Sequence, residues 1–243
     1  MLEPIQKQSL SDAVFEQLRG RIVDGEMEPG TRLPAERVLC EMLQVNRGAL
    51  REALLRLEQA RLIHCQHGGA TRVLDYRESA GLDLLSALLF TSQGELNIEV
   101  ARSVVEMRSA LAPDIARLAA LRASDEQSER LEQLVTAMGS ADIELNELQD
   151  LAQQFWAELA QASGNVAYRL AYNTLIESYS KFSRLLTHVM AEEYRRLDHY
   201  TDIADAVHRG DGEAAMQHAR ALTAVGGSSI KGMLDTVRME AKR

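Results

Sequence analysis

Residues 33–74 constrain the fold of this chain more than any other stretch. Leu33-Pro34-Ala35-Glu36-Arg37 opens a short helix whose apolar positions are Val38, Leu39, Met42 and Leu43. Gln44-Val45 makes a tight turn, and the side-chain oxygen of Asn46 can cap the helix that follows. Ala49, Leu50, Ala53, Leu54 and Leu57 form the apolar stripe of that second helix, with Arg47 and Arg51 one turn apart at its exposed start. Two short helices with a tight turn, and charged donors at the N-terminus of the second, suit the major groove of duplex DNA. Residues 62–66 and 71–74 are short extended runs around the glycine turn His67-Gly68-Gly69-Ala70, which predicts a hairpin wing. The pattern is a winged helix-turn-helix.

Upstream, residues 9–24 read as a first helix, capped by Ser9 or Ser11 and ended by Gly25, with Val14, Phe15, Leu18 and Ile22 inward. Glu28-Pro29-Gly30 begins a turn and short strand leading to the second helix. The three-helix core with its wing is thus complete by about Leu74. We expect a DNA-binding domain over residues 1–75, a linker over 76–79 and an all-helical domain over 80–243.

Only helical periodicity follows. Leu82, Leu85, Leu88 and Leu89 mark a short helix, and Val104, Met107, Leu111, Ile115 and Leu118 a longer one. Further helices are expected over 124–138, 142–162, 166–190 and 194–208, and from Gly212 to about Met239. Their connections are short, so the fold class expected is mainly α: a winged head followed by an antiparallel bundle of about six to seven helices.

At 243 residues there is room for two cores. The net charge of −9 argues against a nonspecific nucleic-acid coat, and residues 1–75 carry ten Lys/Arg against eleven Asp/Glu. DNA binding must then come from a local cluster, Arg37, Arg47, Arg51 and the wing, and should be specific, dimeric and salt-sensitive. Cys40 and Cys65 have neither metal spacing nor a disulfide framework, and no apolar run reaches bilayer length. A reduced, cytoplasmic protein without a membrane partner is the reading that fits.

An enzyme is not expected, and no catalytic residue is assigned. The chain lacks a nucleophile elbow, a phosphate loop, HExxH and paired CxxC. Its six histidines are scattered, and solvated surface positions are the plainer account of them. Arg108 is more informative, because it lies along the apolar stripe of its helix next to Val104 and Leu111. A buried cation needs a partner. That partner is a bundle carboxylate, or solvent at the rim, or an anionic effector in a cavity between helices. Tyr168, Tyr172, Leu175, Tyr179, Phe182 and Leu186 recur at steps of four and three, either as core or as the wall of a polar cavity. Gly226-Gly227-Ser228-Ser229 lies inside the last helix, where glycine marks a kink, a close helix contact or the approach of a ligand.

The run from Pro29-Gly30 through Leu33-Pro34-Ala35-Glu36-Arg37 to Asn46-Arg47-Gly48-Ala49-Leu50-Arg51-Glu52-Ala53-Leu54 closely resembles the GntR-type winged helix. Phe155, Leu159, Ala162-Ser163-Gly164-Asn165 and Ala206-Val207-His208-Arg209-Gly210-Asp211 resemble that family's all-helical effector domain. Residues 66–73 and 78–85 look most like the FadR-like branch, the acyl-CoA-responsive regulators of fatty-acid metabolism. The resemblance implies that Arg37, Asn46, Arg47, Gly48, Ala49 and Arg51 meet the operator, with His67, Gly68 and Gly69 at the wing tip. Departures are Gly48 and Ala49, which stand where hydroxyl residues are common.

Many relatives hold a metal through one Asp and three His. Here the corresponding positions are Ala152, Trp156, Tyr200 (or the adjoining His199) and Leu222, so no metal and no cofactor is expected. The effector is then expected to be a longer amphipathic anion, a fatty acyl-CoA, met by Arg108, Tyr172, Tyr179, Gly226, Gly227 and Ser228. The whole implies a cytoplasmic homodimer, a repressor of fatty-acid genes on a palindromic operator, that leaves DNA when acyl-CoA binds. Rival readings are a family member sensing a small organic acid such as lactate or pyruvate, a metal-dependent enzyme on a helical bundle, and a DNA-binding scaffold whose bundle only dimerises.

Overall fold

The computed structural model describes residues 9–66, 70–91, 94–180 and 183–240. The chain folds as two compact units, residues 1–97 and 98–243.

In the first unit, helix α1 (Leu10–Val23) starts at Ser9, whose hydroxyl accepts the Asp12 N–H at 3.1 Å. Ser9 is the cap, and Ser11 is buried. Val14, Leu18 and Ile22 face inward, whereas Phe15 is only partly buried and stacks under the Arg56 guanidinium at 4.2 Å. Helix α2 (Glu36–Leu43) buries Leu39 but leaves Val38 and Met42 exposed. It closes on Gln44 in the left-handed region (φ 52°, ψ 43°), which turns the chain sharply into α3 (Arg47–Gln59). Leu50, Ala53, Leu54 and Leu57 of α3 complete the core with α1.

Two short strands, β1 (Ile63–His64) and β2 (Arg72–Val73), pair antiparallel with Ile63 opposite Val73. They are shorter than the expected runs, and β2 also bonds the segment before α2: Val73 N–H donates to Thr31 O, and Leu33 N–H to Thr71 O, each at 2.9 Å. His67, Gly68 and Gly69 lie outside the described residues.

The expected linker is a helical turn, α4 (Tyr76–Ser79), capped by the Asp75 carboxylate on Arg77 N–H at 3.0 Å. After it, a 3-10 turn (Leu82–Leu84) and α5 (Leu85–Leu88) pack with the head. Leu84 belongs to the head's core, and the buried Arg19 of α1 donates to Ala87 O. Sequence periodicity marks this segment as helical but does not show which core it joins, so the division falls near residue 97 and not near 80.

The second unit is all-helical: α6 (Ile98–Arg122), α7 (Asp125–Met138), α8 (Leu145–Ala162), α9 (Val166–Ser180), α10 (Ser183–Val189), α11 (Ala191–Tyr194), α12 (Leu197–His208) and α13 (Gly212–Glu240). The long pair α6 and α13 packs most extensively, with α12 beside α13 and α7, and α8 between α7, α6 and α9. Ser124 caps α7 in a reciprocal capping box with Gln127. Gly164 (φ +61°) ends α8 where a side chain would be strained. The helix expected over 194–208 begins later, as α12 at Leu197, with Arg195 and Arg196 separating it from α11. No helix among the described residues is long and apolar enough to cross a membrane.

Candidate functional site

The exposed start of α3 is set by one cap. Asn46 Oδ1 accepts the Ala49 N–H at 2.9 Å, which fixes the first turn and presents Arg47, Gly48 and Arg51 to solvent. A Cβ on Gly48 would lie 3.2 Å from that oxygen, so a glycine keeps the cap unobstructed and the surface flat. The helix N-terminus adds its own positive end. Arg51 Nε donates to Glu36 Oε2 at 2.9 Å and Arg37 Nη1 to Glu41 Oε1 at 3.1 Å, all four side chains being exposed. Such pairs contribute at most about 1 kcal/mol, so a phosphate or a guanine edge can take the place of either carboxylate. Arg47 has no ion-pair partner among the described residues. Asn46, Arg47, Gly48 and Arg51 are therefore exposed at one helix start, with Ala49 half-buried among them, and Arg37 is exposed on α2.

Inside the helical unit a cavity of about 60 Å³ lies between α6, α8 and α9. Its walls are mostly apolar: Leu111, Ala112 and Ile115 of α6, Ala152 and Trp156 of α8, and Leu175 and Ile176 of α9. Arg108, Glu193, Tyr194 and Met190 close one side. Of the partners open to Arg108 from its sequence position, the structure shows a bundle carboxylate. Its guanidinium forks onto Glu193, with Nη1 3.0 Å from Oε2 and Nη2 against Oε1. Arg108 is 11% exposed and Glu193 1%, so this is a buried, bidentate pair at the edge of the cavity.

Gly226 makes that pair possible. A Cβ there would stand 2.1 Å from Glu193 Oε2 and 2.6 Å from Met190 Cε, so the residue serves a close helix contact. Gly227 faces Val105 and Ser109 of α6 at ordinary contact distance. Ser228 is exposed, its hydroxyl donating to Ala224 O of its own helix at 2.8 Å, and does not line the cavity. Tyr172 does line it, with its hydroxyl donating to Gln153 O at 2.6 Å. Tyr168 instead reaches Asp114 at 2.9 Å. The side chain of Tyr179, and Phe182 entirely, lie outside the described residues.

The positions that correspond to metal ligands in relatives do not fit a metal. Ala152, Trp156, Tyr200 and Leu222 are all buried. The only oxygen among their side chains is the Tyr200 phenol, whose pKa is pushed well above the ordinary value by burial and then by the negative charge of Glu193. It stays a neutral hydroxyl. Elsewhere on α12 and α13, ligand atoms of His199, Asp202 and His218 lie within 4.8 Å of one another, a group that could hold a metal. Sequence reading treats these histidines as scattered, because their meeting depends on how α12 packs on α13. Glu193 is likewise absent from the sequence-based site, and no periodicity marks it; Trp156 and Tyr200 enter the sequence reading only as positions that correspond to metal ligands in relatives.

Residues 10–73 match the pattern of bacterial regulatory proteins of the gntR family, and residues 103–224 that of the FCD domain. The chain belongs to the GntR family. The HTH-type transcriptional regulator Mce2R of Mycobacterium tuberculosis is 37% identical over 96% of both chains. A fatty acid metabolism regulator protein of Proteus mirabilis is 30% identical, covering 89% of this chain and 88% of its own. The crystal structure of a GntR family member from Pseudomonas syringae superimposes with a TM-score of 0.51 at 18% identity, over 98% of this chain and 91% of the other. That likeness is one of fold. As a GntR-family protein with an FCD domain, the chain is a DNA-binding transcription regulator, the FCD portion being its effector domain.

Proposed function

We propose that this regulator is a homodimer that represses genes of fatty-acid metabolism from a palindromic operator and leaves DNA when a long-chain acyl-CoA enters the FCD cavity. The observation that carries this reading is the cavity: apolar along α6, α8 and α9, with a guanidinium–carboxylate pair at one end. The name of the Proteus mirabilis relative, at 30% identity, supports the same metabolism. A volume of about 60 Å³ holds about two waters. A long chain therefore enters only by displacing helices, and such a ligand prefers the displaced arrangement, which is what coupling to a separate DNA-binding head requires.

The same volume favours a second reading, a small organic acid such as lactate or pyruvate, which needs less displacement. Thermal denaturation separates the two. Palmitoyl-CoA at micromolar concentration is expected to raise the melting temperature and to reduce operator binding measured by fluorescence anisotropy. Stabilisation by millimolar lactate or pyruvate, with no effect of palmitoyl-CoA, replaces the first reading with the second. Native mass spectrometry checks the dimer.

A further inference from the structure

We infer that His199 and Asp202 of α12, with His218 of α13, form a binding site for one divalent transition metal of the zinc, cobalt or nickel class. The site is independent of the effector reading above. One ligand atom from each of the three side chains lies within 4.8 Å of the other two. His218 Nδ1 and Asp202 Oδ2 are already 3.1 Å apart, and the two imidazole rings stand 6.2 Å centre to centre. Ligand atoms around a tetrahedral zinc, with bonds of about 2.0–2.1 Å, are about 3.4 Å from one another. Side-chain rotation therefore closes the site, with water at the remaining position. Two imidazoles and one carboxylate suit zinc, cobalt or nickel better than magnesium or calcium.

The backbone that carries these groups is fixed by the fold. His199 and Asp202 are three apart and share one face of α12. Gly210 (φ +69°) turns the chain into α13, where Asp211 Oδ1 accepts the Ala214 N–H at 3.0 Å. Ala215 and Ala219 of α13 are fully buried, and α13 packs closely on α12, which brings His218 alongside Asp202. The group is distinct from the positions that hold metal in relatives. Tyr200 and Leu222 are fully buried in the bundle, whereas the side chains of Asp202 and His218 are 47% and 36% exposed, so an ion reaches them from solvent. His199 supplies a second observation. Arg196 Nη2 donates to its Nε2 at 2.8 Å, and a guanidinium accepts nothing, so the imidazole proton sits on Nδ1. Nδ1 is buried and has no hydrogen-bond partner among the described residues, a state that folded proteins seldom leave uncompensated. A cation thus already rests on this imidazole. A metal bound through Nε2 takes the guanidinium's place directly; one bound through Nδ1 sends the proton to Nε2, which also turns Arg196 away. In both cases Arg196 keeps its bonds to Asp198, at 3.0 and 2.8 Å.

Calorimetric titration of the untagged, chelator-treated full chain with zinc chloride is expected to show one equivalent bound at micromolar concentration, with a rise in melting temperature. His218→Gln and Asp202→Asn should each weaken that binding at least about tenfold, and their melting temperatures without metal report whether each still folds. Arg196→Gln should tighten it, because the competing cation is gone. With cobalt chloride the protein should show visible d–d bands and no thiolate-to-metal absorption, which separates this site from Cys40 and Cys65. Absence of binding at millimolar zinc, thiolate absorption in the cobalt spectrum, or unchanged zinc affinity in folded His218→Gln and Asp202→Asn overturns the assignment. None of these outcomes bears on whether acyl-CoA or a small organic acid fills the cavity.

Discussion

Arg108 and Glu193, 85 positions apart, join α6 to α11 through two parallel hydrogen bonds from one guanidinium to one carboxylate. Taking both charges out of water offsets most of their attraction, so the pair adds little net stability. Removing one member, however, strands the other. Glu193→Ala is therefore expected to lower unfolding free energy by about 3–5 kcal/mol in urea titration. Arg108→Met combined with Glu193→Leu should recover most of that loss. Arg108→Ala is consequently not a clean probe of effector binding, because it leaves Glu193 buried and unpaired. A Glu193→Ala protein within about 1 kcal/mol of wild type would mean that water reaches the pair freely.

Gly226→Ala tests the same contact from the other side. The added methyl would stand 2.1 Å from Glu193 Oε2, and two atoms of Met190 lie within 3 Å, so side chains of α11 and its N-cap must move. The expected cost is about 1–3 kcal/mol of stability. Gly227→Ala, whose neighbours are at 3.7 and 3.8 Å, should be close to neutral in the same measurement.

Arg47→Ala is expected to weaken binding to the cognate duplex by about 1–3 kcal/mol with the head still folded. Glu36→Gln, which frees Arg51 from its carboxylate partner, should leave binding unchanged or tighten it. Anisotropy on a duplex selected by the protein from a random pool measures both. Equal affinity of Arg47→Ala and wild type would remove α3 as the reading helix.

Acid should weaken the start of α12 in a defined window. Hydrogen bonds from Arg196 hold the Asp198 carboxyl near a pKa of about 2, below its usual 3.8. A carboxylate with a depressed folded pKa stabilises fully above the unfolded value and loses that contribution as pH falls through the folded one. Asp198→Asn should thus melt slightly below wild type at pH 6, and the gap should close between about pH 4 and 2. Because both partners are exposed, the gap should also shrink in 1 M salt. A gap that persists at pH 2 would assign the effect to helix propensity instead of charge.

The DNA-binding head was legible because its signals are local. Asn46 caps the helix whose first turn it precedes, Gln44 turns where a tight turn was needed, and the stripe from Leu50 to Leu57 faces the core it implies. Phe15, Val38 and Met42 show the limit of that logic: their spacing is apolar, but in a short three-helix core no neighbour covers them fully. The cavity's lining was legible in part. Arg108 stood out as a cation on an apolar stripe, and Tyr172 as part of an aromatic one, and both line it. Nothing in the spacing of Ala191-Glu192-Glu193-Tyr194 distinguishes the carboxylate that turns inward from the one beside it.

Periodicity, caps and turn residues, all set by neighbours within a few positions, determined the winged head and the helical bundle. Tertiary packing decided which partner Arg108 takes, why Gly226 has no side chain, and which side chains of α6, α8 and α9 wall the cavity. Hydrogen-bond partners across a bundle depend on helix rotation and depth, and those are fixed only when whole apolar faces close against one another.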